Sequence, residues 1–382
     1  MAQAVILDAV RTPIGKRNGA LSGIRADELA ALPLAALRQR AVVPDGSIDD
    51  VVMGCVTQIG EQGFNIARVA ALIAGYPVTV AGTSVNRQCG SSLQALNFVS
   101  QAIISEQQDV AIAAGVESMS RIAMGSDAAE ISEKLTERFD LIPQGLSAEL
   151  IAQKWGFSRT QLDEFAARSH ERALAAQAAG YFDREIVAVE TTTPDGQPIV
   201  VTRDEGPREG STVEKLAKLK PAFKGDGVIT AASSSQISDG AAAIVLASAD
   251  RARALGARPR ARIVATAISG VDPTIMLTGP IPATQKALAR AGLSIGDIDL
   301  FEVNEAFAPV VLAWAAETGG DLERTNVNGG ACALGHPLGC SGVRLITTLL
   351  HELERRDLRY GLATLCIGFG QGVATIIDRK VD

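Results

Sequence analysis

The amino-acid sequence predicts an α/β fold that is internally duplicated, and three observations carry that reading. Short β-rich runs alternate with helical stretches along the chain. Several of the runs are almost wholly apolar, as strands covered by helices on both faces should be. One plan of strand, small-residue turn, helix and strand occurs at two places. In order, Ala4–Val10 reads as the first strand and Asp50–Cys55 as the second. Thr83-Ser-Val then enters a turn at Cys89-Gly-Ser-Ser92, after which Leu93, Leu96, Val99 and Ile103 step by three and four along one helix face. Asp109–Val116, Arg262–Ile268 and Asp299–Val303 are further strands. The second copy of the plan runs from Thr325-Asn-Val-Asn-Gly-Gly through Gly335-His-Pro-Leu-Gly-Cys-Ser-Gly-Val343 into a helix marked by Val343, Ile346, Leu350 and Leu353. Gly361–Cys366 and Val373–Ile377 close the chain. The expected division is residues 1–118 plus 237–255 as one half, 256–382 as the other, and 119–236 as an insert. The insert is polar in places and has a clear helix at Thr160–Ala179, closed by Gly180.

Bulk properties exclude several classes. At 382 residues the chain exceeds what one hydrophobic core usually organises. Its 47% hydrophobic and 21% charged residues fit a globular protein, and no apolar run reaches the ~20 residues that span a bilayer, so no membrane partner is expected. The opening segment meets Asp8 without a basic flank, which reads as a strand and not a signal peptide. A net charge of −7 argues against a broad nucleic-acid surface, so an anionic ligand needs a local basic patch. The five cysteines form no CxxC pair, which opposes a disulfide framework or a metal site and points to free thiols in a reducing cytoplasm.

Four segments carry chemistry. Cys89 lies where a strand gives way to a helix, and the positive end of the helix dipole there favours thiolate. His336 is surrounded by glycines from Gly329 to Gly342, which permit close backbone approach of a ligand or a second loop, and Pro337 is suited to open the following helix. The other two histidines are less promising: His170 reads as part of a solvated helix face and His351 as structural. Asn304-Glu305 follows a strand's carboxyl end, where α/β sheets place ligands, although Asn304 is equally a helix-cap residue. Cys366-Ile-Gly368-Phe-Gly370-Gln-Gly372 has a glycine string, but a strand follows it where a dinucleotide fingerprint needs a helix.

These four segments, with Arg11-Thr-Pro-Ile-Gly15, resemble the thiolase family in order and separation over essentially the whole chain. The resemblance implies a five-layered α-β-α-β-α architecture of two mixed sheets, with a loop domain inserted in the first half. It implies coenzyme A as co-substrate, no tightly bound cofactor, no metal, and assembly as a homodimer or homotetramer. Cys89 would be the nucleophile, Cys366 the acid/base at the substrate's C2, and His336 the base for each thiol, with the N–H groups of Cys89 and Gly368 forming one oxyanion hole. Asn304, through a water, and His336 would form the other. Arg208, Ser235, Phe223, Met276 and Phe307 would contact coenzyme A or the acyl chain. The basic run Arg208, Lys215, Lys218, Lys220 and Lys224 fits that use, since cations offset the cofactor's phosphates.

The implied reaction is reversible thiolytic cleavage of a 3-oxoacyl-CoA, read here as degradative; the biosynthetic alternative condenses two acetyl-CoA molecules. A decarboxylating ketoacyl synthase shares the fold but uses two histidines, and Cys366 stands at one of those places. A Cys-His-Asn hydrolase would form product without coenzyme A. A non-catalytic acyl-CoA binder would have no need of Cys89, Asn304, His336 and Cys366 together. Two departures bear on acyl specificity: Phe369 where many members have Gly, and Gln144 where many have Met.

Overall fold

The computed structural model describes residues 2–128, 130–193 and 196–381. In chain order the strands are β1 (Ala4–Arg11), β2 (Gly15–Lys16), β3 (Asp50–Gly54), β4 (Ala81–Val85), β5 (Val110–Ser118), β6 (Val189–Thr192), β7 (Pro198–Val201), β8 (Ser238–Ser248), β9 (Ala261–Gly270), β10 (Leu300–Val303), β11 (Tyr360–Ile367) and β12 (Gln371–Asp378). β4-β3-β5-β8-β1 form one run and β10-β11-β12-β9 another. The senses repeat. β3 and β5 are parallel, as are β10 and β11; β5 with β8, β8 with β1, β11 with β12, and β12 with β9 are antiparallel. β4 lies parallel to β3, and the second run has a vestige of that pairing in the parallel bridge Phe301↔Thr325. The two expected sheets are continuous at one corner, where only Val5↔Arg262 and Ile6↔Ala261 join β1 to β9.

Side-chain alternation along these strands sorts the core into layers. On β1, β5 and β8, Val5, Leu7, Ile112 and Val245 face the helices Ala26–Arg40 and Ile66–Ile73. Their neighbours Ile6, Ala111, Ala113 and Ile244 face the opposite way, onto the helices Ser91–Ile104 and Ser341–Arg355. The same two helices are covered from beyond by Leu365, Ile367, Val373 and Ile377 of β11 and β12. Leu362, Ala374 and Ile376 then meet the helices Pro280–Ala291 and Ala308–Thr318. Helix, sheet, helix pair, sheet and helix follow in turn, the five-layered order.

The insert carries the helices Gln144–Trp155 and Arg159–Ala178 and the β6–β7 hairpin. Ser158 caps the longer helix with a capping box closed by Gln161. Arg11 fastens the insert to the sheet: fully buried, it donates to Glu185 at 2.6 Å and, with both terminal nitrogens, to Asp204 at 2.7 and 3.0 Å.

Candidate active site

Each chemistry-bearing loop leaves the carboxyl end of a strand or lies against one. β4 runs into Asn86-Arg-Gln-Cys89, where Gln88 adopts a left-handed backbone (φ 44°), and the Ser91–Ile104 helix starts two residues after Cys89. The tip of the β11–β12 hairpin brings the Gly368 N–H to the Cys89 sulfur, together with the N–H of Cys89 itself. A Cβ at 368 would lie 2.0 Å from Gln88 Oε1, so any other residue there would have to push the Gln88 side chain aside. Cys366, at the end of β11, is buried within electrostatic reach of Cys89. His336 follows the short turn Ala331–Leu334, and Leu338 two residues on packs with Cys89, Val56 and Met119. Pro337 does not open the next helix. That helix begins at Ser341, and the Pro337 carbonyl accepts the N–H groups of Cys340 and Ser341, each at 3.0 Å.

The hydrogen bonds around His336 define its tautomer. Ser341 Oγ lies 2.9 Å from the Pro337 carbonyl and 2.6 Å from His336 Nδ1. A carbonyl only accepts, so the single hydroxyl proton goes to Pro337 and Nδ1 must donate its own to Oγ. Nε2 then carries the lone pair, and Asn304 Nδ2 donates towards it at 3.3 Å. Asn304 is no helix cap: Phe307 holds that position, and the buried Asn304 Oδ1 makes no hydrogen bond among the described residues. Glu305 beside it is structural, accepting from Ser169, Asn326 and the Cys332 N–H at 2.7, 2.9 and 3.0 Å.

Burial governs the electrostatics. It pushes the Cys89 thiol up to about 11, against the pull of the Cys89 and Gly368 N–H groups. This reverses the thiolate expected from the helix dipole: removal from water outweighs the helix end. Cys366 is raised further, by burial and then by Cys89. His336 falls to about 3, through burial and then the nearby Arg344 charge, and is a neutral imidazole at physiological pH.

A cavity of about 700 Å³ opens between the insert and the core. Arg208, Ser235 and Phe223 line it, as do Lys16, Arg17 and Lys215, so the basic patch demanded by an acidic chain is present. Phe307 meets Phe223 edge-on at 5.8 Å. Met276 is buried in the apolar cluster of Phe307 and Cys366 and does not line this cavity. Of the basic run, Lys218 and Lys220 do not line it either, and Lys224 pairs with Asp226 at a different depression. His170 is not on a solvated face. It is buried, its Nδ1 accepts the Arg208 N–H at 3.1 Å, and burial with the Arg208 charge lowers it to about 4. Lys16, Arg17, His170 and Ser341 had no signal in the sequence, because their partners lie in other segments or, for Ser341, in the geometry of one turn. Gln144 Nε2 and Phe369 both lie at the hairpin tip by Gly368; Phe369 has φ 57° and is 48% exposed.

Comparison with known proteins gives a consistent result. Residues 4–250 match a family profile described as the thiolase N-terminal domain, and 257–379 one described as the thiolase C-terminal domain. A steroid 3-ketoacyl-CoA thiolase of Mycobacterium tuberculosis is 49% identical, over 99% of this chain and 95% of that one. A β-ketoadipyl-CoA thiolase of Escherichia coli is 46% identical over 99% of this chain and 100% of its own. The crystal structure of the Bacillus anthracis acetyl-CoA acetyltransferase superposes with a TM-score of 0.92 at 41% identity, covering 100% of this chain and 99% of that one.

Proposed function

The chain belongs to the thiolase family, and from that premise we propose that it cleaves 3-oxoacyl-CoA with coenzyme A, in the degradative direction, releasing acetyl-CoA and a shortened acyl-CoA. Three observations support this: Cys366 lies within electrostatic reach of Cys89, Asn304 contacts His336 at 3.3 Å, and Leu338, two residues beyond His336, packs on Cys89, with a basic cavity that suits coenzyme A between residues 119–236 and the core. His336 Nε2 takes the Cys89 proton as the sulfur attacks the C3 carbonyl. A thiol raised to about 11 and an imidazole lowered to about 3 do not exchange a proton at rest, so transfer and attack run together. The new oxyanion is held by the N–H groups of Cys89 and Gly368. The C2–C3 bond breaks, its electron pair stays on C2, and Cys366 delivers the proton there. His336, now carrying a proton on Nε2, donates to the enolate oxygen of the leaving acetyl unit, with a water held by Asn304 Oδ1 as the second donor. The His336 proton then passes to the Cys366 thiolate, which resets both groups. Coenzyme A enters, its thiol proton passes to His336 as its sulfur attacks the acyl carbonyl, and the Cys89 sulfur leaves and takes that proton back.

Arg208 and Ser235 hold the nucleotide and pantetheine parts, with Phe223 as an apolar wall backed by Phe307, while Met276, buried with Phe307 and Cys366, lies behind the acyl end and not on the coenzyme A cavity. No tightly bound cofactor or metal takes part. We read residues 1–118 plus 237–255 and 256–382 as duplicated halves and 119–236 as the coenzyme A-binding insert. The five buried free thiols suit a cytoplasmic setting, and among the described residues no helix is long and apolar enough to cross a membrane. β4 ends its sheet with an accessible edge, and nearby Phe64 is 96% exposed, which supports a homodimer or a pair of dimers. The test of the mechanism is Cys366→Ala: it should abolish carbon–carbon cleavage yet still allow Cys89 to be acetylated by acetyl-CoA. Equal loss of both activities would remove Cys366 from the C2 role.

A further inference from the structure

Glu117 is a buried charge that the chemistry above leaves unused. It is the penultimate residue of β5 and 1% exposed. Its Oε2 accepts the N–H groups of Val56 and Gly339, each at 2.9 Å. Its Oε1 accepts the Thr57 N–H at 3.1 Å and Gln62 Nε2 at 2.8 Å. Burial raises the Glu117 carboxyl above its ordinary range, and the four donors oppose that shift; with two donors on each oxygen the carboxylate is the form the site fits, since a carboxyl proton would be turned against an N–H. Among the described residues no cation is paired with it, so backbone and amide dipoles alone hold the charge.

The partners matter more than their number. Gly339 is three residues beyond His336 and 222 positions from Glu117 in the chain. It comes this close because it has no side chain: a Cβ would lie 2.3 Å from the Val116 carbonyl oxygen. Val56, on the same carboxylate oxygen, packs with Leu338 and Met119 around Cys89. Beyond the loop, in the first turn of the Ser341–Arg355 helix, the Val343 N–H donates to Ser92 Oγ on the cysteine helix at 3.0 Å. One oxygen therefore ties the histidine loop of one half to the wall around the cysteine of the other. We propose that Glu117 is a positioning residue for acyl transfer, fixing His336 against Cys89 through Gly339 and Val56. The inference rests on the roles given to Cys89 and His336 under the proposed function.

The assay is exchange of labelled coenzyme A into acetyl-CoA, a half-reaction that needs Cys89 and His336 but no carbon–carbon step. In it the Cys89 proton passes by His336 to the departing coenzyme A sulfur as the acetyl group moves to Cys89. Glu117→Gln turns an amide NH₂ towards donors, and kcat should fall about 100-fold, the effect of misplacing a reacting group by about 1 Å. KM for acetyl-CoA should stay within about threefold, because the cavity of Arg208 and Ser235 is untouched. Glu117→Asp, which keeps the charge, should recover at least about tenfold of that loss. A folded Glu117→Gln with kcat within about threefold of the parent, or a loss expressed in KM alone, overturns the proposal. Hydrogen exchange on the unaltered protein tests it without any variant: the Gly339 and Val56 amides should be strongly protected, and exchange at the rate of open loops overturns it as well. Cys89→Ala is run alongside. Exchange surviving there sinks the assignment of the nucleophile, a failure separate from that of Glu117.

Discussion

Burial, not the helix end, sets the state of Cys89, and alkylation kinetics against pH measure the difference. Iodoacetamide reacts with the thiolate. With the thiol at about 11, pH 7 lies four units below, so about one molecule in 10⁴ is ionised at rest, a cost of about 5 kcal/mol. An unburied cysteine near ~8.5 has about one in 30 ionised at that pH. The alkylation rate at Cys89, followed by peptide mapping, should thus climb about tenfold per pH unit from 7 to 10 with no plateau. Cys89 should still be labelled before Cys55, Cys332, Cys340 and Cys366, since at 6% exposure it is the most accessible of the five. The sign follows from the raised value: higher pH, not lower, releases the nucleophile. A plateau below pH 8 would mean a standing thiolate–imidazolium pair and refute the concerted transfer argued above.

Two further perturbations probe the surrounding shell. Ser341→Ala leaves the His336 Nδ1–H buried without an acceptor, a penalty of about 1–3 kcal/mol; it should lower kcat for acetyl exchange about 10- to 100-fold with KM nearly unchanged, and an unaltered kcat removes Ser341 from the tautomer argument. Phe369→Gly should change the ratio of kcat/KM for acetoacetyl-CoA to that for a longer 3-oxoacyl-CoA by about tenfold or more if the half-exposed ring meets the acyl chain, whereas an unchanged ratio in a stable variant assigns the ring no part in specificity.

The sequence exposed those parts of the molecule whose signal is local. Asp299–Val303 and Gly361–Cys366 were legible as apolar runs and became β10 and β11 within two residues at each end. β8 was not recognised as a strand: Ser238-Asp-Gly-Ala-Ala-Ala has little β-propensity, and its place between β1 and β5, with all eleven residues buried, overrides that preference. The four chemical segments stood out because each concentrates rare residues and glycines in a short stretch. The cavity beside them did not, because Lys16, His170, Arg208 and Ser235 come from four stretches that only the folded insert assembles. His170 was misplaced for the same reason: helical spacing gives a face but not what covers that face, and here Arg208 does. The Cys89 thiol failed in a different way, since a helix end is visible in sequence and desolvation is not.

The helix pair shared between the two sheets has a consequence for the newborn chain. β1 and β5 are hydrogen-bonded through β8, so the first sheet cannot close until residue 248 has been made. Even then, the inner face formed by Ile6, Ala113 and Ile244 waits for Val343, Ile346 and Leu350 of a helix near the end of the chain. The Ser91–Ile104 helix covers part of that face by then, but at a synthesis rate of about 5–20 residues per second the stretch from 248 to 355 leaves the rest open for roughly 5–20 s. An exposed sheet face with an open edge at β4 is the kind of species that aggregates, so yield in the cell should depend on chaperone supply and on slow translation more than on the stability of the finished enzyme.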